Sequence, residues 1–555
     1  MPNSPSDTSS VEPCRTRRAD RQARRSGRWG AGPVTLALVA AGMAATGLVS
    51  VVTPQARSGE RDDRAIVHLL NRVAFGPRPG DVDRVARMGI HAYIDAQLRP
   101  ERVSDAAMSA RLSTLPTLTM SSRQIAERFE RPLLDARRQA KQQEDRQATG
   151  DDGTLSRPDA RLRQEANAPL AELASQKVLR AAYSERQLQE VLTDFWFNHF
   201  NVDARKGPVR FLLTEYERDA IRPHVLGRFR ELLGATAKSP AMLFYLDNWM
   251  NAADTDGSER RTSARRRLGR RRSGSDREPR QSGMPRGLNE NYGRELLELH
   301  TLGVDGGYTQ KDVTEVARAF TGWTIVGPRR GGGFRFVPSM HAVGEKLVLG
   351  QTIKTGGIDA GEQVLDILAR HPSTARHIAA KLARRFVADE PPSSLVARAA
   401  ERFRVTNGDL REVVRTILTS PEFDAPDAYR AKTKTPLEFL VSAVRATGVE
   451  LHDARLLVRQ AHELGMPLYQ CQPPTGYHDT GEAWTNTGAL VARMNAALTL
   501  ARGPGSAPRD ETIRTVVSEI LAGDLSPATL TTIARASEPA ERLALVLGSP
   551  EFQKR

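Results

Sequence analysis

The stretch NENYGRELLELH, residues 289–300, concentrates groups that can carry acid–base chemistry. On a helix that turns about 100° per residue, Asn291, Glu295 and Glu298 share one face. We therefore predict that Glu295 and Glu298, assisted by the Asn291 amide, act as catalytic carboxylates or as ligands of a hard divalent metal ion.

The same helix also has a purely structural interpretation. Arg294 and Glu298 are four residues apart, so they can form an ion pair on a solvated helix face. His300 projects away from the carboxylates, and the residue three positions before it is Leu297. The Glu-x-x-His ligand pair of di-iron helix bundles is therefore absent.

A second candidate is His199, in the motif FWFNHFNV. In a helical projection Leu188, Leu192, Phe195 and His199 lie within about 60° of arc, which predicts a buried imidazole. A buried imidazole needs a partner, and the types available are a carboxylate, a backbone carbonyl group or a metal ion.

The active-site hypothesis joins these two helices. It predicts that the His199 imidazole meets the carboxylate of Glu295 or Glu298, with Asn291 beside them, as an acid–base pair. In a metal-assisted version, His199, Glu295 and His341 are the candidate ligands. The alternative is that His199 is an ordinary core histidine. The sequence identifies neither a cofactor nor a metal.

The loop at residues 469–495 is rich in Pro, Gly and Thr but also carries rings, namely Tyr477, His478 and Trp484. Loops of this composition often form the wall of a pocket. The structural alternative is that Thr485 or Thr487 caps the helix that follows.

Several common site signatures are absent. The sequence has no Walker A motif, dinucleotide glycine fingerprint, His-Glu-x-x-His, Gly-x-Ser-x-Gly or Cys-x-x-Cys. Nucleotide, flavin and common protease chemistries are therefore disfavoured. The two cysteines, Cys14 and Cys471, are too few for a zinc–cysteine site.

Positive charge is concentrated in two segments. The 555 residues carry a formal charge of +15, of which residues 1–30 supply +4 and residues 251–288 supply +6. Residues 251–286 contain almost no apolar side chains and are expected to form a disordered insertion. Two interpretations stay open: a solvated loop, or a segment that holds anionic lipid or a surface polymer.

The N-terminal segment predicts export. Residues 33–53 contain no charge and are about long enough to cross a bilayer as a helix. Arginines precede them, so we expect a cytoplasmic basic tail over 1–30 and a signal peptide or membrane anchor over 31–56. Residues 57–555 then form an extracytoplasmic domain. Whether the segment is cleaved, or stays in inner-membrane lipid, is open. Nucleic acid is not an expected partner on that side.

The remaining pattern is typical of a mainly α protein, a large multi-helix domain. Between residues 61 and 99, apolar residues at helical spacing are interrupted by glycine and proline, which predicts three short helices. Residues 332–353 predict a small β-hairpin. The polar stretch at 143–158 predicts a mobile loop between helices.

Seven motifs together resemble the bacterial domain of unknown function 1800 family, over about residues 62–555. In chain order they are LLNRVAFGPRPGDV, FWFNHFNV, AMLFYLDN, NENYGRELLELHTLGVDGGYTQKDVTEVARAFTGW, HPSTARHIAAKLARRFV, KTPLEFLVSAVRA and LGSPEFQKR. The resemblance implies an exported, mostly helical protein and supplies no activity. The family motif usually carries Ala where this chain has Gly293, and the Arg-rich insertion precedes the NENY motif as a departure from the family core.

The resemblance also implies a partner. Genes of this family often neighbour a gene for the domain of unknown function 1501 family, which resembles alkaline phosphatases and sulfatases. The alternative to an enzyme is therefore a non-catalytic scaffold for an exported, sulfatase-like protein.

Overall fold

The computed structural model describes residues 58–147, 160–253, 287–503 and 508–555, and helices account for most of them. The prediction of a mainly α fold is confirmed. Three helices occupy the N-terminal stretch where three were predicted. Residues Arg57–Arg555 form one compact unit.

The α-helices before the Arg-rich segment are Ser58–Val73, Asp81–Met88, Ile90–Gln97, Ala106–Leu112, Ser122–Ile125, Arg131–Gln147, Ala160–Glu165, Ala168–Tyr183, Gln187–His199, Leu213–Glu215, Phe229–Lys238 and Pro240–Tyr245. Those after it are Asn291–Glu295, Gln310–Ala319, Ile358–Arg370, Pro372–Phe386, Ser393–Val405, Leu410–Leu418, Pro436–Thr447, Arg455–Glu463, Thr487–Arg502, Asp510–Thr515, Pro527–Arg535, Pro539–Gly548 and Pro550–Gln553. Four π-helical turns extend or join them: Ala126–Glu130, Tyr216–Ile221, Leu296–Thr301 and Val516–Ile520. Short 3-10 turns lie at Pro100–Arg102, Pro116–Thr119, Val209–Phe211, Arg222–His224, Asn248–Met250, Pro328–Arg330, Pro338–Met340, Pro426–Ala428 and Gly481–Trp484.

The β structure consists of two separate antiparallel ribbons instead of the one predicted hairpin. Strand β2 (Phe334–Phe336) pairs with β1 (Trp323–Ile325), which lies ahead of the predicted segment. Strand β3 (Lys346–Val348) pairs with β4 (Gln351–Ile353). The alternating Phe residues identified a strand correctly, but its partner is set by the fully buried Trp323 upstream.

The helix Pro436–Thr447 lies at the centre of the unit, because every residue from Pro436 to Ala446 is buried. Its N-terminus is closed by a capping box between Thr435 and Glu438. Arg445, near its C-terminus, is 2% exposed and donates to the carbonyl oxygens of Gly76 and Ala182 at 2.7 and 2.8 Å.

The Arg445 guanidinium also forms an ion pair with Asp81 at 3.3 Å. This one side chain thereby ties three N-terminal segments of the unit to its central helix.

Several predicted segments lie wholly or partly outside the described residues. The apolar segment 33–53 is outside, and no helix within the described ranges is long and apolar enough to cross a membrane. Of the loop predicted at 143–158, the first five residues continue a helix to Gln147, and the others lie outside the described residues. Of the insertion predicted at 251–286, Asn251 is fully buried and its amide donates to Ala317 O at 2.8 Å, whereas residues 254–286 lie outside the described residues.

We predict that Arg445→Met lowers the free energy of unfolding by about 3–5 kcal/mol, since it leaves two buried carbonyl groups without their donor and removes one buried ion-pair partner of Asp81. Chemical denaturation measures this loss. Arg455→Met is the control, because the Arg455 side chain is 74% exposed and should leave the midpoint unchanged. Equal midpoints for the two variants would contradict the anchoring role of Arg445.

Candidate functional site

Four separate stretches of sequence meet around an open cleft of about 610 Å³. Its lining residues are Asp203, Arg205, Lys206, Tyr245, Leu246, Asn291, Glu295, Gln472 and Pro474. They come from the segment after the FWFNHFNV motif, the AMLFYLDN motif, the NENY motif and the proline-rich loop. The prediction that this loop forms a pocket wall is confirmed.

Two asparagines attach the loop to the end of the His199 helix and to the residues that follow it. Asn201 donates from its amide nitrogen to the carbonyl oxygens of Cys471 and Pro473, at 2.9 and 2.8 Å. The Asn198 side chain pairs with the backbone of Tyr477 in both directions, donating at 2.8 Å and accepting at 2.7 Å. These amides orient a loop rather than a reacting group.

Gly476 makes the second attachment possible. Its φ of +76° is a left-handed conformation, and a Cβ atom placed there would lie 2.3 Å from the Asn198 carbonyl oxygen. Only glycine fits both the conformation and the close approach. The loop therefore lies directly on the end of the His199 helix.

A buried charge network holds the start of the same loop. The Tyr469 hydroxyl donates to the Glu217 carboxylate at 2.6 Å, and Tyr469 itself has a φ of +64°. Glu217 is 1% exposed and is surrounded by Lys177, 3.8 Å away, and Arg222, 3.4 Å away. These two cations offset the cost of burying the carboxylate, and Gln176 adds a hydrogen bond at 3.1 Å.

Glu295 and Asn291 also line the cleft, so the structure brings two predicted site residues together there. Glu295 is half-buried, and its carboxylate has no hydrogen bond or ion pair with another described residue. Burial raises its pKa, and the neighbouring Glu298 carboxylate raises it further. A glutamate in this state holds its proton to a higher pH than usual.

Glu298 and Arg294 are placed differently from the prediction. Glu298 accepts a hydrogen bond from the Tyr308 hydroxyl at 3.1 Å. Arg294 pairs with Glu290 at 3.5 Å instead of with Glu298. The helix changes from α to π geometry at Leu296, so a projection at a constant 100° per residue fails from that point on.

The remaining charges of the cleft are paired with each other. Asp203 accepts from the Arg205 backbone and guanidinium, both at 3.0 Å. The Lys206 ammonium donates to Asp247 at 2.8 Å. Tyr245 lies between the walls and donates to the Gln472 carbonyl oxygen at 2.7 Å. Burial raises the Tyr245 pKa above its usual value, and the Asp203 and Glu295 charges add to the effect.

The structure does not bring His199 to a carboxylate. His199 is buried, as predicted, but its Nε2 atom lies 3.1 Å from the His300 carbonyl oxygen, and its Nδ1 atom is buried without a partner. The His300 and His377 rings lie 6.2 Å from the His199 ring. The predicted contact is wrong because the NENY helix meets His199 with its C-terminal end, whereas Glu295 lies nearer the other end.

Burial is also the first cause of the low pKa values in this histidine group. It lowers the pKa of His300 to about 3 and that of His377 to about 4, and the nearby Lys381 ammonium contributes in the same direction. The pKa of His199 is lowered as well, for the same two reasons. The three imidazoles are therefore neutral in the folded protein at ordinary pH.

The predicted metal ligands are not assembled. His341 lies against Thr321, with its Nδ1 atom 2.9 Å from the Thr321 carbonyl oxygen, and it makes no contact with His199 or Glu295. Across the part of the chain that the structure describes, no three His, Cys, Asp or Glu residues are grouped closely enough to hold a metal ion.

Five polar lining residues were missed by the sequence analysis, namely Asp203, Arg205, Lys206, Tyr245 and Gln472, as were the apolar Leu246 and Pro474. Their positions in the sequence could have identified them, because they directly follow or belong to motifs that had been recognised for other residues.

The helix cap predicted at Thr485 or Thr487 lies between those two residues. Asn486 caps the next helix by accepting a hydrogen bond from Ala489 N at 2.9 Å. Burial raises the pKa of the neighbouring Cys471 thiol to about 11, which disfavours a thiolate nucleophile.

A family model described as "Protein of unknown function (DUF1800)" matches residues 68–554. The match agrees with the resemblance drawn from the seven motifs. No curated protein and no solved structure gives a significant match.

We predict that Gly476→Ala is destabilising by about 1–3 kcal/mol more than Gly465→Ala. Both positions have a positive φ, +76° and +86°, but a Cβ atom at Gly465 would meet nothing within 4 Å. Comparing the two variants separates the effect of the clash with Asn198 from the cost of a positive φ at alanine, which both variants share. Denaturation followed by Trp fluorescence measures both variants, and equal losses would show that the loop does not depend on this contact.

We further predict that stability falls as the pH is lowered from about 6.5 towards 4. In this range the unfolded chain binds protons that the buried His199, His300 and His377 do not, which favours unfolding. His300→Gln should reduce the slope of unfolding free energy against pH by about 1.4 kcal/mol per pH unit. His452→Gln, at an exposed site, should not change it. Parallel slopes for His300→Gln and the unaltered protein would contradict the assignment.

Proposed function

The chain belongs to the DUF1800 family of proteins of unknown function, and from this premise we propose that its cleft is a general acid–base site for cleaving glycosidic bonds. Glu295 is assigned as the proton donor and Asp203 as the opposing carboxylate. The Asn291 and Gln472 amides and the Tyr245 region bind the substrate hydroxyl groups.

The observation that carries the proposal is the state of Glu295. It is the lining carboxylate without an ion-pair partner among the described residues, it faces an open cleft, and its pKa is raised by burial and by Glu298. A carboxylic acid whose pKa is raised, beside a solvent-accessible cleft, is suited to protonate a leaving group.

Asp203 supplies the second carboxylate that such a reaction needs. It lines the same cleft and forms an ion pair with Arg205 at 3.0 Å, and both Asp203 and Glu295 are close enough to Tyr245 to affect the pKa of that tyrosine. Glycoside hydrolysis uses one carboxylic acid and one carboxylate on either side of the bond to be broken.

The charge balance of the cleft favours a neutral, hydroxyl-rich substrate. Arg205 is paired with Asp203 and Lys206 with Asp247, so neither cation is free to attract an anionic ligand. Planar amides and a carboxylic acid remain to exchange hydrogen bonds with hydroxyl groups. An open cleft also admits a segment of a chain rather than only a small molecule.

The predicted location fits this substrate class. Export through the apolar segment 33–53, whether as signal peptide or anchor, would deliver the domain to the compartment where structural polysaccharides are found. Localisation is part of the proposal and is tested by fractionation of cells that express the full chain.

A second candidate function is the docking of an exported partner, such as a protein of the DUF1501 family. The observation that favours it is an exposed apolar row on the helix Thr487–Arg502, formed by Leu490, Val491 and Met494, which are 46%, 58% and 37% exposed. Exposed apolar groups on one helix face are typical of protein–protein contacts. Loss of co-purification on Leu490→Glu, with cleft variants unaffected, would favour this function.

We predict that residues 57–555 release reducing ends from a neutral polysaccharide, tested on a panel of dextran, chitin and cellulose oligomers. Glu295→Gln and Asp203→Asn should each lower the rate about 100-fold or more. Glu298→Gln is the matched control, since Glu298 lies on the same helix but hydrogen-bonds Tyr308, and it should keep most of the rate.

The pH profile gives an independent check. If Glu295 is the acid, the rate falls as the pH rises above its elevated pKa, and Glu295→Gln loses this alkaline limb. An equal loss of hydrolysis rate in the Glu295 and Glu298 variants would contradict the glycosidase assignment. The absence of both turnover and binding for every saccharide in the panel would contradict it as well.

A further inference from the structure

A sparsely charged, solvent-facing surface is formed by two helices near the C-terminus, Thr487–Arg502 and Pro527–Arg535. No residue of the second helix is buried. Four large apolar side chains project into solvent from the two helices, with exposed fractions between 37% and 58%: Leu490, Val491, Met494 and Leu530. We call these four side chains the apolar surface.

The two helices meet at one end of a third helix, Pro539–Gly548, against which both pack. Met494 lies beside the last residue of that helix, since a Cβ atom at Gly548 would collide with the Met494 sulfur. The Thr529 hydroxyl, on the second helix, donates to Glu551 at 3.1 Å, three residues beyond Gly548. The apolar side chains of both helices therefore lie at the same end of the third helix, and an exposed apolar patch of this kind marks a contact site.

Acidic side chains are absent from both helices. Of their 16 and 9 residues only Arg493, Arg502 and Arg535 are charged, although 26% of the whole chain is charged. Arg493 is buried and donates to Gln553 at 2.6 Å, whereas Arg502 and Arg535 are exposed. A helix face turned to water normally carries charged groups. The face of these two helices instead combines apolar side chains with positive charge alone.

The acids that flank the two helices do not lie on the apolar surface. The first acid before and after each helix, and the one that contacts the second helix, are Glu482, Asp510, Asp524, Glu538 and Glu551. Asp510 pairs with Arg542 at 3.1 Å and Asp524 with Arg64 at 3.3 Å. Glu551 accepts from the Ser526 backbone at 3.0 Å. The other two are exposed but lie outside both helices, so neither helix presents a carboxylate to an anionic partner.

The first helix of the domain, Ser58–Val73, is attached beside these helices. Its Arg64 forms the ion pair with Asp524, just before the second helix. Four residues, 54–57, separate Ser58–Val73 from the predicted membrane segment 33–53. A tether of four residues spans at most roughly 15 Å. An uncleaved segment would therefore hold this side of the domain close to a bilayer.

A bilayer fits the apolar surface better than a protein partner does. Protein interfaces are usually anchored by aromatic residues, and neither helix has one. Aliphatic side chains with arginines at their margin match the boundary between acyl chains and anionic headgroups.

We infer that the apolar surface is a docking site for an anionic phospholipid bilayer. Its four side chains enter the boundary between headgroups and acyl chains, and Arg502 and Arg535 attract the lipid phosphates. The inference rests on the proposed export through residues 33–53 and not on the proposed hydrolysis. Docking keeps the domain at the membrane whether or not the segment is cleaved.

The test uses residues 57–555, which form one compact unit, and vesicles of phosphatidylethanolamine and phosphatidylglycerol. The protein should float with these vesicles in a density gradient and should bind less to vesicles of phosphatidylcholine, which have no net charge. Added salt should weaken the binding without abolishing it, because salt screens the arginines and leaves the apolar contact.

Two variants and a control locate the contact. Leu490→Glu and Leu530→Glu should each lower the ratio of bound to free protein about tenfold or more, because each replaces an apolar contact with a charge of the same sign as the lipid. Val405→Glu is the matched control: Val405 is 63% exposed on another helix, and this variant should bind like the unaltered protein. All three side chains are exposed, so unchanged thermal midpoints would show that the variants are folded.

Absence of vesicle binding by the unaltered protein, or equal binding by the three variants, would overturn the inference. A dimer that Leu490→Glu converts to a monomer in light scattering, with no vesicle binding, would assign the surface to a second copy of the chain. Co-purification of an exported protein that Leu490→Glu abolishes, again with no vesicle binding, would assign it to that partner.

These measurements are independent of the cleft. Glu295→Gln should float with the vesicles like the unaltered protein, and cell fractionation tests the export separately. Saccharide hydrolysis without vesicle binding would overturn the docking inference alone. Vesicle binding without hydrolysis would overturn the glycosidase proposal alone.

Discussion

The cleft depends on the attachment of one loop to the end of one helix. The side-chain amides of Asn198 and Asn201 form hydrogen bonds with the backbone of residues 471–477, and Gly476 permits the close approach of the loop to Asn198. Two of the four stretches that line the cleft are joined in this way. Since the loop has little regular structure, its position is fixed mainly by these hydrogen bonds and by the Tyr469 hydroxyl on Glu217. Without them Gln472 and Pro474 would not be held at the cleft that Glu295 also lines.

The helical unit buries ionisable groups in three places and compensates the desolvation cost in two ways. Glu217 is surrounded by Lys177 and Arg222 and stays charged. Glu438 is paired with Arg385 and Arg555 and stays charged for the same reason. The histidines around His199 have no acidic partner and stay neutral, because burial lowers their pKa values. The cleft differs from all three, since Glu295 is only half-buried and faces solvent space.

Sequence pattern predicted the local features well. Helical periodicity identified the mainly α fold and the buried face of the His199 helix, and composition identified the loop that walls the cleft. It placed Glu295 and Asn291 on one face, and both line the cleft. The sequence pattern failed at two points. The π turn at Leu296 changes the rotation of the following residues relative to a regular α-helix, and β2 pairs with a strand outside the predicted hairpin.

The sequence alone determined which side chains are buried and which segments are helical, because these properties follow from the spacing of apolar residues along a few turns. Only the tertiary structure decided which of them meet. The His199 ring lies against the carbonyl oxygen of His300 and not against Glu295, and Asp203, unremarkable in the sequence, lines the same cleft as Glu295. These long-range contacts join residues about 90 to 270 positions apart. They depend on how helices cross and loops attach, which the local periodicity of a sequence does not encode.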